Sequence, residues 1–117
     1  MKRVALGGAA RYNGHSVTKT ESMQDKGLAW QVGVWDHMTA VYAQEIDHRF
    51  VPVIDQVMLR ARLRPDMRVL DVGTGTGAVA LRCSPLVSGG EVIGVDISPQ
   101  MLAIARRREC VDPERAS

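Results

Sequence analysis

Aromatic residues are scarce in this chain. Two Trp, two Tyr and one Phe make up 4% of its 117 residues, so a stacking surface for single-stranded nucleic acid is not expected. Charge is equally thin. Fifteen Lys and Arg against 13 Asp and Glu leave a formal charge of +2, too little to argue for a nucleic-acid partner. Only two cysteines occur, Cys83 and Cys110, with no C-x-x-C pair. That excludes a disulfide framework and fits free thiols in a reducing compartment. No apolar run is long enough to span a membrane. The three apolar residues after Lys2 and Arg3 are too few for the core of a signal peptide. The expected location is therefore the cytoplasm, with no membrane partner. His15, His37 and His48 stand too far apart for a pair of ligands on one helix face, so no metal site is expected. Internal repeats and low-complexity tracts are also absent.

What is present fits one small soluble domain: 45% hydrophobic and 24% charged residues. Residues 1–27 show no helical or strand period and read as a flexible leader. Residues 28–64 read as a helical cap. Within it Met38, Tyr42, Ile46, Phe50, Ile54, Val57 and Met58 recur at steps of three and four, the mark of one helix face. Asp36 is placed to cap the first helix. Pro52 is costly inside a helix but comfortable in a first turn. The pattern predicts two helices, at 36–48 and 50–62, meeting at a bend near Phe50.

Residues 65–110 carry a second pattern. R-V-L-D-V at 68–72 is a short strand, G-T-G-T-G at 73–77 a glycine turn, and 78–83 a helix that Pro85 ends early. E-V-I-G-V-D at 91–96 is a second strand. Ser98 and Pro99 then open a helix as N-cap and first residue, with Met101, Leu102, Ile104 and Ala105 inward and Arg106, Arg107 and Arg108 at a solvated end. Residues 111–117 read as a tail. Strand, turn, helix, strand, helix is a βαβα unit, with parallel strands buried on both faces. The fold class is α/β, a partial Rossmann-like arrangement.

A glycine turn between a strand and a helix opens a crevice at the carboxyl end of the strand, where ligands of such sheets bind. Asp96 closes the next strand, where an acid accepts hydrogen bonds from ribose hydroxyls. Two cofactor classes use this layout. Gly73, Gly75 and Ala78 satisfy the dinucleotide spacing G-x-G-x-x-A, which keeps an NAD-binding oxidoreductase as an alternative. Asp71 argues the other way. Two residues before the first glycine, its carboxylate would repel a pyrophosphate and would suit a cofactor with sulfonium and ammonium groups.

D-V-G-T-G-T-G at 71–77 resembles motif I of class I S-adenosylmethionine-dependent methyltransferases. G-V-D-I-S-P-Q-M-L-A-I-A-R at 94–106 resembles the segment that follows it there. The tone is similar to the ubiquinone/menaquinone-biosynthesis enzymes and other small-molecule methyltransferases. The paired helices with Trp35, Tyr42 and Pro52 resemble the cap that precedes motif I. The resemblance covers about 35–109. It implies S-adenosyl-L-methionine as cofactor, with Asp71 facing its methionyl end and Gly73, Thr74, Gly75 and Gly77 lining its approach. Asp96 would hold the ribose and Ile97 would pack near the adenine. Thr74 stands where the family often has cysteine. Other roles remain open: Asp71 bonding the turn, Asp96 capping the helix at Ser98, Ile97 and Met101 serving as core.

The family implies a seven-stranded sheet with this motif on its first, central strand. Two of those strands are recognisable here, so the chain is expected to carry the cofactor-binding half of a methyltransferase. The resemblance implies methyl transfer to a small-molecule acceptor, with a truncated, inactive product as the alternative. Tyr42, His37 and His48 are only nominal candidates for a base, and no catalytic residue is assigned.

Overall fold

The computed structural model describes residues 4–8 and 23–111; His15 lies outside them. Strand β1 (Ala5–Gly8) is followed by helices α1 (Met23–Val41) and α2 (Val51–Ala61), strand β2 (Arg68–Val72), helix α3 (Ala78–Cys83), strand β3 (Glu91–Asp96) and helix α4 (Pro99–Val111). The βαβα unit lies where the sequence pattern sets it. Ser98 is the N-cap of α4, its hydroxyl accepting from the Met101 amide at 3.1 Å. Pro52 sits in the first turn of α2, and a 3-10 turn at Ser84–Val87 with Pro85 in it follows α3.

The strands form one parallel sheet in the order β1-β3-β2. Val69 pairs with Val92 and Val72 with Val95; across the other edge of β3, Ala5 pairs with Ile93 and Gly8 with Asp96. The carboxyl ends of all three strands therefore finish level at one end of the sheet. This is a partial Rossmann-like α/β arrangement.

Three expectations need correction. Residues 1–27 are not uniformly a leader, because Ala5–Gly8 is a strand and α1 already begins at Met23. A-L-G-G has no strand character of its own. Pairing along β3 makes it a strand, an instance of tertiary context overriding propensity. Glu109 of α4 adds a carboxylate oxygen 2.7 Å from the Val4 amide. The first cap helix starts well before residue 36, so Asp36 lies in mid-helix and caps nothing. Leu28, Trp30, Val34 and Trp35 are all exposed, so this helix lacks the buried stripe on which a periodicity reading depends. Finally, β2 is not buried on both faces. Val69 packs inward, whereas Leu70 and Val72 are 63% and 75% exposed. Helix α3 packs on β2 and β3, but α4 lies against β1 and β3 instead.

The main core sits under α3. Ala80, Cys83, Val87, Val92 and Val4 are buried together, with Met58, Leu63, Met67 and Val69 packed around them. Met101, Leu102 and Ala105 of α4 are also buried, so Met101 is core. No helix among the described residues is long and apolar enough to cross a membrane.

Candidate functional site

The glycine turn is built on left-handed backbone. Gly73, Gly75 and Gly77 have φ of 75°, 56° and 81°, values that side-chain-bearing residues rarely adopt. Val95 of β3 anchors the start of the turn, its carbonyl accepting from the Gly73 and Thr74 amides at 2.8 and 3.0 Å. The Gly77 amide closes back on the Thr74 carbonyl at 2.9 Å. A Cβ on Gly73 would meet nothing within 4 Å, whereas one on Gly77 would stand 3.0 Å from the Ala105 Cβ. The turn thus has an open outer side and a tight inner side pressed on α4. That is the shape of a cradle for a ligand approaching the backbone.

Two carboxylates flank it. Asp71, half-buried in β2, accepts the Thr74 hydroxyl at 2.8 Å. Asp96 ends β3 and reaches in two directions, Oδ2 accepting from the Gly75 amide and Oδ1 from the Ser98 amide, each at 2.8 Å. Asp96 therefore fastens the glycine turn to the loop that opens α4. An ionised carboxylate offers about four acceptor positions, so each Asp96 oxygen retains capacity after taking one amide. Ile97, half-buried, follows directly. Asp71, Gly73, Thr74, Gly75, Gly77, Asp96 and Ile97 are thus gathered at the carboxyl ends of β2 and β3. Thr74 turns inward, 6% exposed, with its hydroxyl and amide both engaged, so its side chain orients Asp71. Beneath them, burial and then the Asp71 charge push the Cys83 thiol above its ordinary value.

Other residues join the site that the sequence reading did not. The cap is fixed to it at two points. Ser98, fully buried, donates its hydroxyl to Asp36 of α1. Thr76, 1% exposed, donates its hydroxyl to Asp47 at 2.6 Å. Arg108 completes the second contact, bonding the same Asp47 oxygen at 2.7 Å. It is therefore not a freely solvated helix end. Arg106 also has a partner, the Leu6 carbonyl at 2.9 Å. The hydroxyl in the turn was visible in G-T-G-T-G, but its acceptor lies 29 residues earlier, beyond any local pattern. His37 and His48 are exposed. Tyr42 stacks edge-on against Trp35, ring centres 6.3 Å apart.

Residues 69–115 match the family model described as a methyltransferase domain. The demethylmenaquinone methyltransferase of Thermus thermophilus is 54% identical over 41 residues, 35% of this chain and 19% of that protein. The ubiquinone/menaquinone biosynthesis C-methyltransferase UbiE of Coxiella burnetii is 47% identical over 55 residues, 46% of this chain and 22% of that protein. The release factor glutamine methyltransferase of Rhodopirellula baltica is 38% identical over 71 residues, 61% of this chain and 24% of that protein. No solved structure matches. The chain spans about a fifth of the length of the curated relatives it matches. The glycine turn and its two flanking acids, Asp71 and Asp96, all fall within the stretch that matches the family model, so residues 69–115 of this chain are similar to a methyltransferase domain.

Proposed function

We propose that this chain is the cofactor-binding part of an S-adenosylmethionine-dependent methyltransferase acting in the cytoplasm on a small-molecule acceptor. The observation that carries the reading is the pair of acids on the open turn. Asp71 precedes it by two residues, and Asp96 is fastened to its middle through the Gly75 amide. The donor set suits the cofactor. A carboxylate at Asp71 would attract sulfonium and ammonium groups and repel a pyrophosphate. Asp96 has acceptor capacity for ribose hydroxyls, and the open side of Gly73 admits the ligand to the backbone.

S-adenosylmethionine, when bound, supplies a methyl group on a positively charged sulfur. The chain's own residues bind and orient. Asp96 sets the ribose against the turn, Ile97 offers an apolar edge to the base, and Thr74 keeps Asp71 directed at the cationic end. Two of the three relatives described above are named for quinone biosynthesis and one for a glutamine of a release factor. The former supports the small-molecule acceptor.

Calorimetry with S-adenosylhomocysteine on the 117-residue chain tests the cofactor. Binding is expected, with none for NAD. Asp96→Ala should weaken it about a hundredfold, near 2.7 kcal/mol. Binding of NAD in place of S-adenosylhomocysteine would reverse the assignment. A demethylated quinone and a release-factor peptide, offered in parallel with labelled S-adenosylmethionine, separate the two acceptor classes.

A further inference from the structure

We propose that Asp47 is a positioning residue for the cofactor turn, holding it through Thr76 and itself held by Arg108. The proposal rests on the cofactor reading above and adds a residue from the helical cap to it.

The turn has an intrinsic weakness. Gly75 and Gly77 sit at φ 56° and 81°, and glycine gives up more conformational freedom on ordering than any other residue. A site that must present backbone to a ligand in one geometry needs something to hold those glycines. Between Gly75 and Gly77 the only side chain is Thr76. It is buried, and its hydroxyl points to the cap, 2.6 Å from Asp47 Oδ2. A hydrogen bond to a charged acceptor in a part-buried setting is among the stronger kinds.

Asp47 is aimed deliberately. It follows a wide π-helical turn at Tyr42–Ile46 and begins a 3-10 turn at Asp47–Phe50. Its amide donates to the Tyr42 carbonyl, across the wide turn. Such an interruption rotates the residues after it relative to a regular helix, and is frequent at functional positions. Arg108 reaches in from α4 and ties the parts together. Its guanidinium bonds Asp47 Oδ2 at 2.7 Å and the carbonyls of Thr76 and Ala43 at 3.4 Å each. The side chain of Asp47 is only 13% exposed, so its charge is poorly screened by water. Cap, glycine turn and α4 meet at one carboxylate oxygen.

Two readouts test this, one without any ligand. Thr76→Val keeps the shape of the side chain and removes the donor; Thr76→Ser keeps the donor. Amide hydrogen exchange on the ligand-free chain should quicken about tenfold over residues 73–78 in Thr76→Val and in Asp47→Ala, an opening of about 1.4 kcal/mol. Exchange over β3 should stay as it was, and Thr76→Ser should behave as the unmodified chain. Affinity for S-adenosylhomocysteine should fall about tenfold in the first two variants and return in Thr76→Ser. Asp55→Ala, which removes another acid of the cap away from the turn, is the control and should change neither readout. The proposal is overturned if Thr76→Val leaves the exchange of the turn unaltered, or if exchange quickens everywhere alike, since that marks a general structural tie. If the unmodified chain binds no S-adenosylhomocysteine, the cofactor reading falls, and the exchange measurement alone decides whether Asp47 holds the turn.

Discussion

The glycine turn and helix α1 both carry glycines, and the same residue does opposite things in each. In the turn, Gly73, Gly75 and Gly77 all take left-handed backbone, and Gly77 has α4 against it. In α1, Gly27 and Gly33 lie in ordinary helix with nothing within 4 Å of where a Cβ would stand. The turn needs its glycines, whereas the helix is merely weakened by them. One region is specified by what its residues alone permit. The other is a helix despite its composition, kept in place by contacts such as that of Asp36 with Ser98.

The largest effect is expected from breaking the turn. Gly77→Val places a branched side chain at φ 81° and against Ala105, combining backbone strain with overpacking. Together these cost about 3 kcal/mol or more, a large share of the stability of a small domain. Urea denaturation measures it. A loss below about 1 kcal/mol would mean that the turn relaxes freely and that its geometry is not dictated by glycine.

A second comparison is chemical. Cys83, on the helix that follows the turn, is buried, and Cys110 near the end of α4 is exposed. Desolvation first, and the Asp71 charge second, raise the Cys83 thiol above its ordinary value of 9.0. The folded chain therefore keeps this proton to higher pH than the unfolded one. The stability it contributes is fully present below about pH 9 and is lost as pH rises through the raised folded value. Iodoacetamide at pH 8 should label Cys110 at least about tenfold faster than Cys83. Equal rates would show that the interior beneath the turn opens to solvent.

How much of this was legible follows the same division. The strand at 68–72, the turn, the strand at 91–96 and the capped helix at Ser98 are each written in neighbouring residues, and the structure places them so. What escaped was written at a distance. Ala5–Gly8 is a strand only because β3 has a free edge to offer, and Asp47 meets Thr76 only when cap and turn are packed. The length of α1 escaped because its apolar residues mark no buried face. Asp36 illustrates the point: next to an apolar periodicity it resembles an N-cap, yet its partner is a serine 62 residues later.

Gly33→Ala sharpens the comparison from the other side. With open space around it and no special backbone angle, the added methyl should stabilise the chain by about 0.5–1 kcal/mol. The melting temperature should rise slightly, with S-adenosylhomocysteine affinity unchanged. A destabilised Gly33→Ala chain would show that this face of α1 is packed in solution.

The smallest effect is expected where the cap touches α3. Arg82 pairs with Asp55 across α2 and α3, the same chemistry as Arg108 with Asp47. Both partners are substantially exposed, with 39% and 49% of their side-chain surface accessible. Water and salt screen such a pair, so a double-mutant cycle on Asp55→Ala and Arg82→Ala should give a coupling of about 0.5 kcal/mol or less, falling further at high salt. The Asp47 carboxylate is much less accessible, and it bonds a hydroxyl of the turn as well as an arginine. A cycle on Thr76→Val and Asp47→Ala should give the larger coupling. If the two couplings prove equal, burial does not distinguish the contacts, and the cap is held to the turn no more specifically than to the neighbouring helix.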